Sequence, residues 1–552
     1  MPRALWSLPN PNWTKIGAVV NEFCIIGSGP SAVSAAVALT RRNLKVVMLD
    51  AGISLDSARQ AVVAEMGEQS PDVWRTEQLA SVKNGVNASS NGIPLKRLYG
   101  SEFPYAPVGW EPFEIEAENV DLKPSFARGG LSTIWGAGVL PFHPDDIRDW
   151  PFGADDLAEH YRAVFSFMPL SGTADELEKL FPSFAPTWQE LKPSTQARAF
   201  LNDAFRARSR LRRRGIFVGR SRLAVDANAA RFGRRNCQYC GLCLYGCPYE
   251  LIYRSEYTLR DLRKLPNFRY ESDFVVQELR EDAGQVRILG RHRINGDRRE
   301  LVAARVLLGA GVIPSTAILL RSMREYDIPM KILDSAYFLM PLLRWSQQHD
   351  VSSEQLHTLA QAFIIMRHPS MDEPLVHLSV YTYNDLTVPA LRAAVGPLGN
   401  FGSRLWKALG SRLLVCGGYL HSSLSPGISM VLHKTSKGER ILLKAETRAE
   451  TSALIRRVGR RLLRDCPSLR AIPLLPAVRQ TPPGRGFHSG GSFPMQRERT
   501  PHTSDVEGRP FGFERVHLID ASCLPSIPAT PITLPVMANA HRIATLAADR
   551  GV

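Results

Sequence analysis

Four of the eight cysteines in the chain stand close together in a run that could bind metal. They are Cys237, Cys240, Cys243 and Cys247, in the pattern CxxCxxCxxxCP. Two-residue gaps let thiolates converge on one face of an iron–sulfur cluster, and this spacing is that of the bacterial ferredoxin run. The single run predicts a [4Fe–4S] cluster on all four thiolates or a [3Fe–4S] cluster on three. A zinc site, which usually has a longer spacer between ligand pairs, and a cysteine-rich loop without metal or with disulfides are the alternatives.

A glycine-rich turn near the N-terminus has the residues needed to bind a nucleotide phosphate. Gly27, Gly29 and Ala32 form a GxGxxA pattern after a short apolar run, and residues 33–42 then have a helical pattern. In a dinucleotide fold the first glycine permits a tight turn and the second lets the backbone approach a pyrophosphate, while the alanine allows close packing of helix on strand. The helix N-terminus then offers free N–H groups to the phosphates.

A carboxylate follows where the ribose of such a nucleotide would bind. Residues 45–49 are predicted to form the second strand, which ends at Asp50, about 20 residues after Gly29. An acidic residue at this spacing hydrogen-bonds ribose hydroxyls and favours a ribose without a 2′-phosphate. The order of strand, turn, helix, strand and acid predicts a Rossmann-like unit. It leaves FAD and NAD both open, and a tight turn that binds nothing is the alternative.

Five blocks of the sequence resemble the glucose–methanol–choline (GMC) oxidoreductases, in the order of that family. They are the turn at 27–32 with the strand end at 49–52, the glycine-rich segment 128–138, the strand and Gly-Ala-Gly turn at 305–322, the segment HSGGSFPM at 488–495 and the closing segment 518–544. The family usually has Glu where this chain has Asp50. The resemblance implies FAD-dependent oxidation of an alcohol group of a sugar, polyol or similar molecule, with hydride transfer to the flavin.

The resemblance also assigns residues to the cofactor. Besides Asp50, the expected FAD-binding positions are Gly27, Gly29, Ala32, Gly129, Gly130, Ser132, Asp520, Ala521 and Pro531. Some bacterial dehydrogenase subunits of the family carry an iron–sulfur cluster as an electron exit, and the cysteine run resembles theirs. Such a cluster would favour a dehydrogenase over an oxygen-using oxidase.

The segment 488–495 matches the catalytic-histidine motif of the family, commonly written HxxGTxxM, and this puts His488 in the role of the base. A neutral imidazole suits removal of a hydroxyl proton, because its ordinary pKa of ~6.5 lies close to neutral pH. The second catalytic position of the family, usually His or Asn, falls on Thr530. A threonine hydroxyl can hydrogen-bond a substrate oxygen but cannot act as a base near neutral pH. His488 would be the only base, and a non-redox activity such as elimination is the alternative.

The elements that must position these residues are predicted as a mixed α/β fold. A Rossmann-like FAD-binding domain is expected from the separated segments 15–150, 301–325 and 481–552, with a cap carrying the cysteine run at 151–300 and a substrate domain at 326–480. Within the substrate domain, an antiparallel sheet with a hairpin turn at Lys437-Gly438, and a helix at 448–465, are predicted. The strand-like runs are 361–367, 375–382, 414–421, 428–433 and 440–444.

The composition is that of an ordinary globular protein. Of 552 residues 44% are hydrophobic and 22% are charged, which excludes collagen-like, coiled-coil and largely disordered chains. At roughly 150 residues per domain the length suggests two to four domains. The N-terminus has no apolar core of the kind that a signal peptide needs, and no apolar stretch reaches the ~20 residues of a membrane span. The protein is therefore expected to be cytoplasmic.

The net charge of +15 is carried mainly by arginine, and residues 198–235 hold twelve of them. This segment is either a solvated surface or a docking site for an acidic electron acceptor or an anionic substrate. No aromatic-rich binding motif accompanies it, so a nucleic acid partner is not expected. Residues 397–414 mix Trp and Leu with Arg and Lys, and could lie at a membrane surface near a quinone or cover the substrate domain. The expected partners are a small-molecule alcohol and an electron-acceptor protein or quinone, with a peripheral membrane contact as a further candidate.

Overall fold

A computed structural model describes residues 14–15, 20–84, 95–105, 113–229, 234–282, 284–367, 373–384, 408–436 and 438–550. Its strands, in chain order, are β1 (Thr14–Lys15), β2 (Val20–Ile26), β3 (Val46–Leu49), β4 (Ile115–Glu118), β5 (Ile216–Arg220), β6 (Phe268–Glu271), β7 (Phe274–Asp282), β8 (Gln285–His292), β9 (Arg298–Leu308), β10 (Pro329–Asp334), β11 (Tyr337–Arg344), β12 (Ala362–Met366), β13 (Val376–Tyr381), β14 (Leu413–Tyr419), β15 (Ile428–Thr435), β16 (Gly438–Ala445), β17 (Ala471–Pro473), β18 (Arg479–Gln480), β19 (Ser489–Gly490) and β20 (Val516–Leu518).

The α-helices of the described residues lie mostly outside the predicted substrate domain. They are α1 (Pro30–Thr40), α2 (Ser57–Glu68), α3 (Thr76–Lys83), α4 (Ala158–Phe165), α5 (Thr195–Arg206), α6 (Arg208–Arg213), α7 (Ser255–Leu262), α8 (Val312–Met323), α9 (Ala449–Arg464), α10 (Cys466–Leu469) and α11 (Thr533–Asp549).

The first sheet has a parallel centre and an antiparallel edge. Its main path runs β6-β3-β2-β9-β8-β7, and β20 pairs parallel with β9. The pairs β6–β3, β3–β2 and β2–β9 are parallel, whereas β8 and β7 are antiparallel to their neighbours. The apolar side chains of β3 are all buried, as expected of a central parallel strand that is covered on both faces. Part of this cover is α1, whose Ser34 hydroxyl donates to the carbonyl oxygen of Met537 in α11 at 2.7 Å.

Two further sheets, largely antiparallel, carry the strands predicted for the substrate domain. A seven-stranded sheet has the order β17-β11-β14-β13-β12-β5, with β18 also on β11, and a five-stranded sheet has the order β19-β10-β15-β16-β4. The strand and helix predictions are confirmed to within about two residues. Their grouping into one sheet is wrong, because β15 and β16 pair with β10 and β4 while β12, β13 and β14 pair among themselves. Lys437 of the predicted hairpin turn lies outside the described residues.

The predicted fold class, a Rossmann-like α/β unit with antiparallel sheets attached, is confirmed. The first sheet takes β2 and β3 from the N-terminal segment, β9 from the middle and β20 from the C-terminal segment. The seven-stranded sheet has α9 against one face, because Ile455, Val458 and Leu462 of that helix join Leu378 and Cys416 in one buried cluster. Its opposite face is left for the site described next.

Candidate active site

The turn between β2 and α1 has the form of a phosphate-binding loop. Gly27 has a φ of +96°, and a Cβ there would lie 2.5 Å from the carbonyl oxygen of Gly309, so only glycine fits. Gly29 has φ −65° and ψ 179°, and a Cβ there would meet nothing within 4 Å. The turn therefore leaves open space beside Gly29, directly before Pro30 starts α1. Ala32, fully buried on α1, occupies the predicted packing position.

The second predicted flavin loop packs directly on this turn. A Cβ at Gly130 would lie 3.2 Å from the Cα of Gly29, so the two loops are in backbone contact. Gly129, with a φ of +89°, donates its N–H to the Ser28 hydroxyl at 2.9 Å. The Ser132 hydroxyl donates to the Gly129 carbonyl oxygen at 2.6 Å. Gly129 and Ser132 thus fix the loop from behind, while Gly130 lines the cleft in front of it.

Asp50 lies at the end of β3, buried and in the wall of the same cleft. Its Oδ2 accepts hydrogen bonds from the Ser28 hydroxyl at 2.5 Å and from the Tyr270 hydroxyl at 2.8 Å. Burial raises the pKa of this carboxyl group to about 6, and the two hydroxyl donors oppose that rise. At neutral pH the group is therefore an ionised acceptor at the position expected for a ribose-binding carboxylate.

The cleft lies between the two loops and the closing segment of the chain and has a volume of about 210 Å³. At its other side lie Asp520 and Ala521. The Asp520 carboxylate accepts the N–H of Gly311 at 2.8 Å and the hydroxyl of Ser315 at 2.6 Å, and burial raises its pKa. The open space at Gly29, the helix N-terminus and the Asp50 carboxylate fit a dinucleotide.

His488 stands where this cleft meets the seven-stranded sheet. The residues on either side of it, Phe487 and Ser489, line the cleft, and its ring stacks on Tyr419 with centroids 4.5 Å apart and planes at 18°. Its backbone oxygen accepts the N–H of Ser335 at 2.9 Å. Among the described residues Nδ1 has no hydrogen-bond partner, and burial lowers the pKa of the imidazole to about 4. The ring is therefore neutral at pH 7, with a nitrogen not engaged by the described residues.

Two tyrosines and a second histidine continue the site across the sheet. Tyr337 and His377 are the cross-strand neighbours of Tyr419, with ring centroids 4.8 Å and 6.2 Å from it. The sequence analysis did not single out these three residues. The alternation of side chains between the two faces of a strand could have identified them. Leu378 and Phe338 face the buried cluster, so their neighbours His377 and Tyr337 face the opposite side of the sheet.

His377 gives the site a second neutral imidazole. Its Nε2 hydrogen-bonds the Ser379 hydroxyl at 2.9 Å, whereas its buried Nδ1 has no hydrogen-bond partner among the residues described. Burial lowers its pKa to about 3, with a smaller contribution from the charge of protonated His488. Two imidazoles therefore flank Tyr419, each with a buried nitrogen that lacks a partner from the described chain.

The closing segment reaches the same face of the sheet through Pro531. A Cβ at Gly138 would lie 3.2 Å from Cγ of Pro531 and 3.5 Å from Cζ of Phe363, whose ring is 4.7 Å from that of His377. Pro531 is therefore a wall between the second loop and the aromatic face. Thr530 before it is fully buried, and its hydroxyl oxygen has no hydrogen-bond partner within the described ranges.

The cysteine run gives no support for a metal centre. Cys237, Cys240, Cys243 and Cys247 are half-buried free thiols. Burial raises the pKa of all four, to about 12 for Cys237 and about 11 for Cys247, so the thiol form is favoured. In the part of the chain that the structure describes, no three His, Cys, Asp or Glu side chains are grouped so that they could hold a metal ion. We derive no electron-transfer step through this run.

Comparison with known proteins identifies a solved structure with the same fold. No protein-family model matches the sequence. No curated protein matches it either. Among solved structures, the crystal structure of pyridoxine 4-oxidase from Mesorbium loti is similar over 95% of this chain and 99% of that chain, with a TM-score of 0.56. The two chains share a fold. Their sequence identity is 15%, so the similarity concerns architecture.

The described helices include none that is both long enough and apolar enough to cross a membrane. The segment 397–414, considered above as a membrane contact, falls mostly on residues outside the described ranges, which resume at 408. The arginine-rich segment 198–235 includes most of α5 and all of α6 and β5. Two of its arginines, Arg213 and Arg214, line a cavity beside α9.

Proposed function

We propose that this protein is an FAD-dependent oxidoreductase that oxidises a CH–OH group of a small molecule, with His488 as the base. The observation that carries the proposal is the position of His488. A neutral imidazole lies where a dinucleotide-type cleft meets the aromatic face of the seven-stranded sheet that carries Tyr419 and Tyr337. The shared fold with an enzyme named as an oxidase supports the same class of reaction.

The residues of the cleft would hold FAD by its ends. Gly29 and the N-terminus of α1 would face the pyrophosphate, Asp50 the ribose hydroxyls, and Gly130 the flavin side of the cleft. When bound, FAD supplies an acceptor for the hydride that leaves the alcohol carbon. Ala32, Gly129, Ser132 and Pro531 would act indirectly, since they support the cleft walls from behind.

His488 would take the hydroxyl proton on a nitrogen of its imidazole. Its stacking on Tyr419 fixes the plane of the imidazole, and its low pKa keeps the ring unprotonated and ready to accept. His377, on the other side of Tyr419, and Thr530 are fully buried, so we assign them to supporting the site from behind rather than to contacting the substrate. Both have polar atoms without partners among the described residues.

The aromatic face of the sheet favours a planar alcohol over an open-chain polyol. Tyr337 and Tyr419 are only half-buried and lie side by side, and a flat substrate ring can stack against them. The name of the structural neighbour gives an alcohol of this kind, pyridoxine, as the substrate of that enzyme. We therefore propose an aromatic or heteroaromatic primary alcohol as the substrate class.

Replacing His488 tests the proposal. We expect His488→Gln to bind FAD as the wild type does, but to be reduced by alcohol about 10²–10⁴-fold more slowly, the usual contribution of a general base. The measurement is anaerobic stopped-flow reduction of the FAD-loaded protein by a panel of aromatic primary alcohols. His433→Gln, an exposed histidine paired with Asp327, is the matched control and should react at the wild-type rate. Equal rates for wild type and His488→Gln would refute the assignment of the base.

Molecular oxygen is the electron acceptor that we propose first. The structural neighbour is named as an oxidase, and the cysteine run that favoured a dehydrogenase gives no grouped ligands in the described chain. Prompt return of the flavin colour when air is admitted to the reduced protein would support an oxidase. Slow return in air with fast return on adding a quinone or an artificial dye would support a dehydrogenase. Failure of every alcohol to reduce the flavin would favour a non-redox activity such as elimination.

A further inference from the structure

A second large cavity lies on the face of the seven-stranded sheet opposite Tyr419. It sits where α9 and the end of α6 cover this face, beside Leu420 at the end of β14 and Met366 at the end of β12. Its volume is about 550 Å³. The proposed oxidation uses no residue of this cavity.

The rim of the cavity is strongly basic. Six arginines and two carboxylates are among its lining residues: Arg213, Arg214, Arg457, Arg460, Arg461, Arg464, Glu373 and Asp465. Because guanidinium groups stay protonated at any physiological pH, this charge does not depend on a titration. The described lining therefore carries four more positive than negative charges within one cleft, six against two.

Three of these arginines form ion pairs or hydrogen bonds with described residues, and three form no such ion pair. Arg457 pairs with Glu373 at 2.8 Å, Arg214 pairs with Asp465 at 2.9 Å, and Arg461 donates to the backbone oxygen of Arg367 at 2.6 Å. The other three, Arg213, Arg460 and Arg464, form no ion pair with any described residue. Each is exposed and lines the cavity.

The floor of the cavity is apolar. Val376, Leu424 and Leu454 keep part of their apolar surface exposed there, and Met366, Leu420 and Val458 lie buried beneath them. A purely inorganic anion would leave this floor wet, whereas a molecule with an apolar body would cover it and gain the hydrophobic free energy of that contact. The concave shape also suits a single small molecule better than the flat surface of a bilayer.

We propose that this cavity binds a small organic anion, in which a carboxylate or phosphate group is attached to an apolar body. The anionic group would be held by Arg213, Arg460 and Arg464, which can donate in the forked geometry that both anions accept. The apolar body would lie on the floor beside Leu454 and Val458. This site does not depend on the proposed oxidation, and it would stand if the substrate assignment failed.

The test uses the full-length protein and simple probes. Decanoate and decyl phosphate carry the two anionic groups on one apolar chain, and decanol carries the chain alone. We expect both anions to bind with a stoichiometry of one by isothermal titration calorimetry, and decanol to bind at least about tenfold more weakly because it lacks the charge-assisted hydrogen bonds. Raising the salt concentration should weaken the anions and leave decanol unchanged. Stronger binding of decanoate would indicate a carboxylate ligand, and stronger binding of decyl phosphate a phosphate ligand.

The variants distinguish the cavity from general surface charge. In Arg460→Gln/Arg464→Gln, anion affinity should fall about tenfold or more while the unfolding temperature without ligand stays unchanged, since both side chains are exposed. Arg456→Gln, also exposed on α9 but outside the cavity, is the control and should bind as the wild type does. Equal binding by the double variant and the wild type would overturn the proposal. So would the absence of binding to either anion alongside recruitment to vesicles of anionic phospholipid, which would indicate a membrane contact instead.

Discussion

The protonation state of His488 is determined by the surroundings of its ring. A solvent-exposed histidine titrates near pH ~6.5, but stacking against Tyr419 and burial remove the water that would stabilise the imidazolium. The pKa falls to about 4, so the neutral form that accepts a proton is present throughout the physiological range. His377 follows the same rule on the other side of Tyr419, with a pKa lowered to about 3.

This shift predicts the acid limb of the reaction. Because only the neutral imidazole can take the hydroxyl proton, we expect the rate of anaerobic flavin reduction by alcohol to fall only as the pH approaches about 4, the pKa of His488. The measurement is the pH dependence of kcat/KM by rapid pH jump. The jump is needed because the unfolded chain binds this proton more tightly, so acid destabilises the fold as the pH drops from ~6.5 through the folded pKa. An acid limb centred near pH ~6.5 would contradict the buried position of His488.

The sequence predicts the positions of single residues correctly where a short local motif determines the backbone conformation. Gly27, Gly29 and Asp50 stand where the GxGxxA pattern and the second strand place them, because the turn, helix and strand are local. Tyr337 and His377 could not be found in this way. They reach His488 only through cross-strand pairing with Tyr419, and a local pattern does not specify the register between strands.

At the scale of elements, two glycines of the β2–α1 turn have different roles. Gly27 is needed for folding, whereas Gly29 is proposed to be needed for cofactor binding. Gly27→Ala would place a methyl group 2.5 Å from the Gly309 oxygen, which should cost about 1–3 kcal/mol of folding free energy. Gly29→Ala meets open space at a φ of −65°, so the free energy of unfolding should stay within about 1 kcal/mol of the wild type.

The Gly29→Ala methyl group would, however, occupy the space proposed for the pyrophosphate. We therefore expect FAD affinity to fall about tenfold or more in a variant that unfolds at the wild-type urea concentration, because a phosphate can no longer approach the backbone. The checks are urea unfolding of the cofactor-free protein and fluorescence titration with FAD. Wild-type affinity for FAD in Gly29→Ala would place the cofactor elsewhere.

Strands were easier to predict than sheets. The run 428–433 is predicted in one antiparallel sheet with 414–421 and the other runs, yet β15 pairs with β10 and joins another sheet. Alternation of apolar and polar residues indicates that a segment is a strand, but the partner is chosen by long-range packing that a single sequence does not display. The cysteine spacing similarly predicts a metal centre, but among the described residues no three potential ligands are grouped there.

At the scale of the whole molecule, distant segments assemble the proposed active site. The cleft takes its turn from residues 27–31, its second wall from 122–131 and its far side from 520–521, and the seven-stranded sheet adds the aromatic face. The same sheet separates this site from the basic cavity under α9. The architecture therefore has room for two ligands on opposite faces of one sheet.

In the proposed reaction an alcohol reduces a flavin bound in this cleft. The anaerobic absorption spectrum of the FAD-reconstituted protein tests this, recorded before and after an aromatic primary alcohol such as pyridoxine is added, with dithionite as the reference for full reduction. We predict that the visible flavin bands appear on reconstitution and are bleached by alcohol to the level that dithionite produces. A protein that cannot be loaded with FAD, or flavin bands that dithionite bleaches but no alcohol in a broad panel changes, would contradict this account.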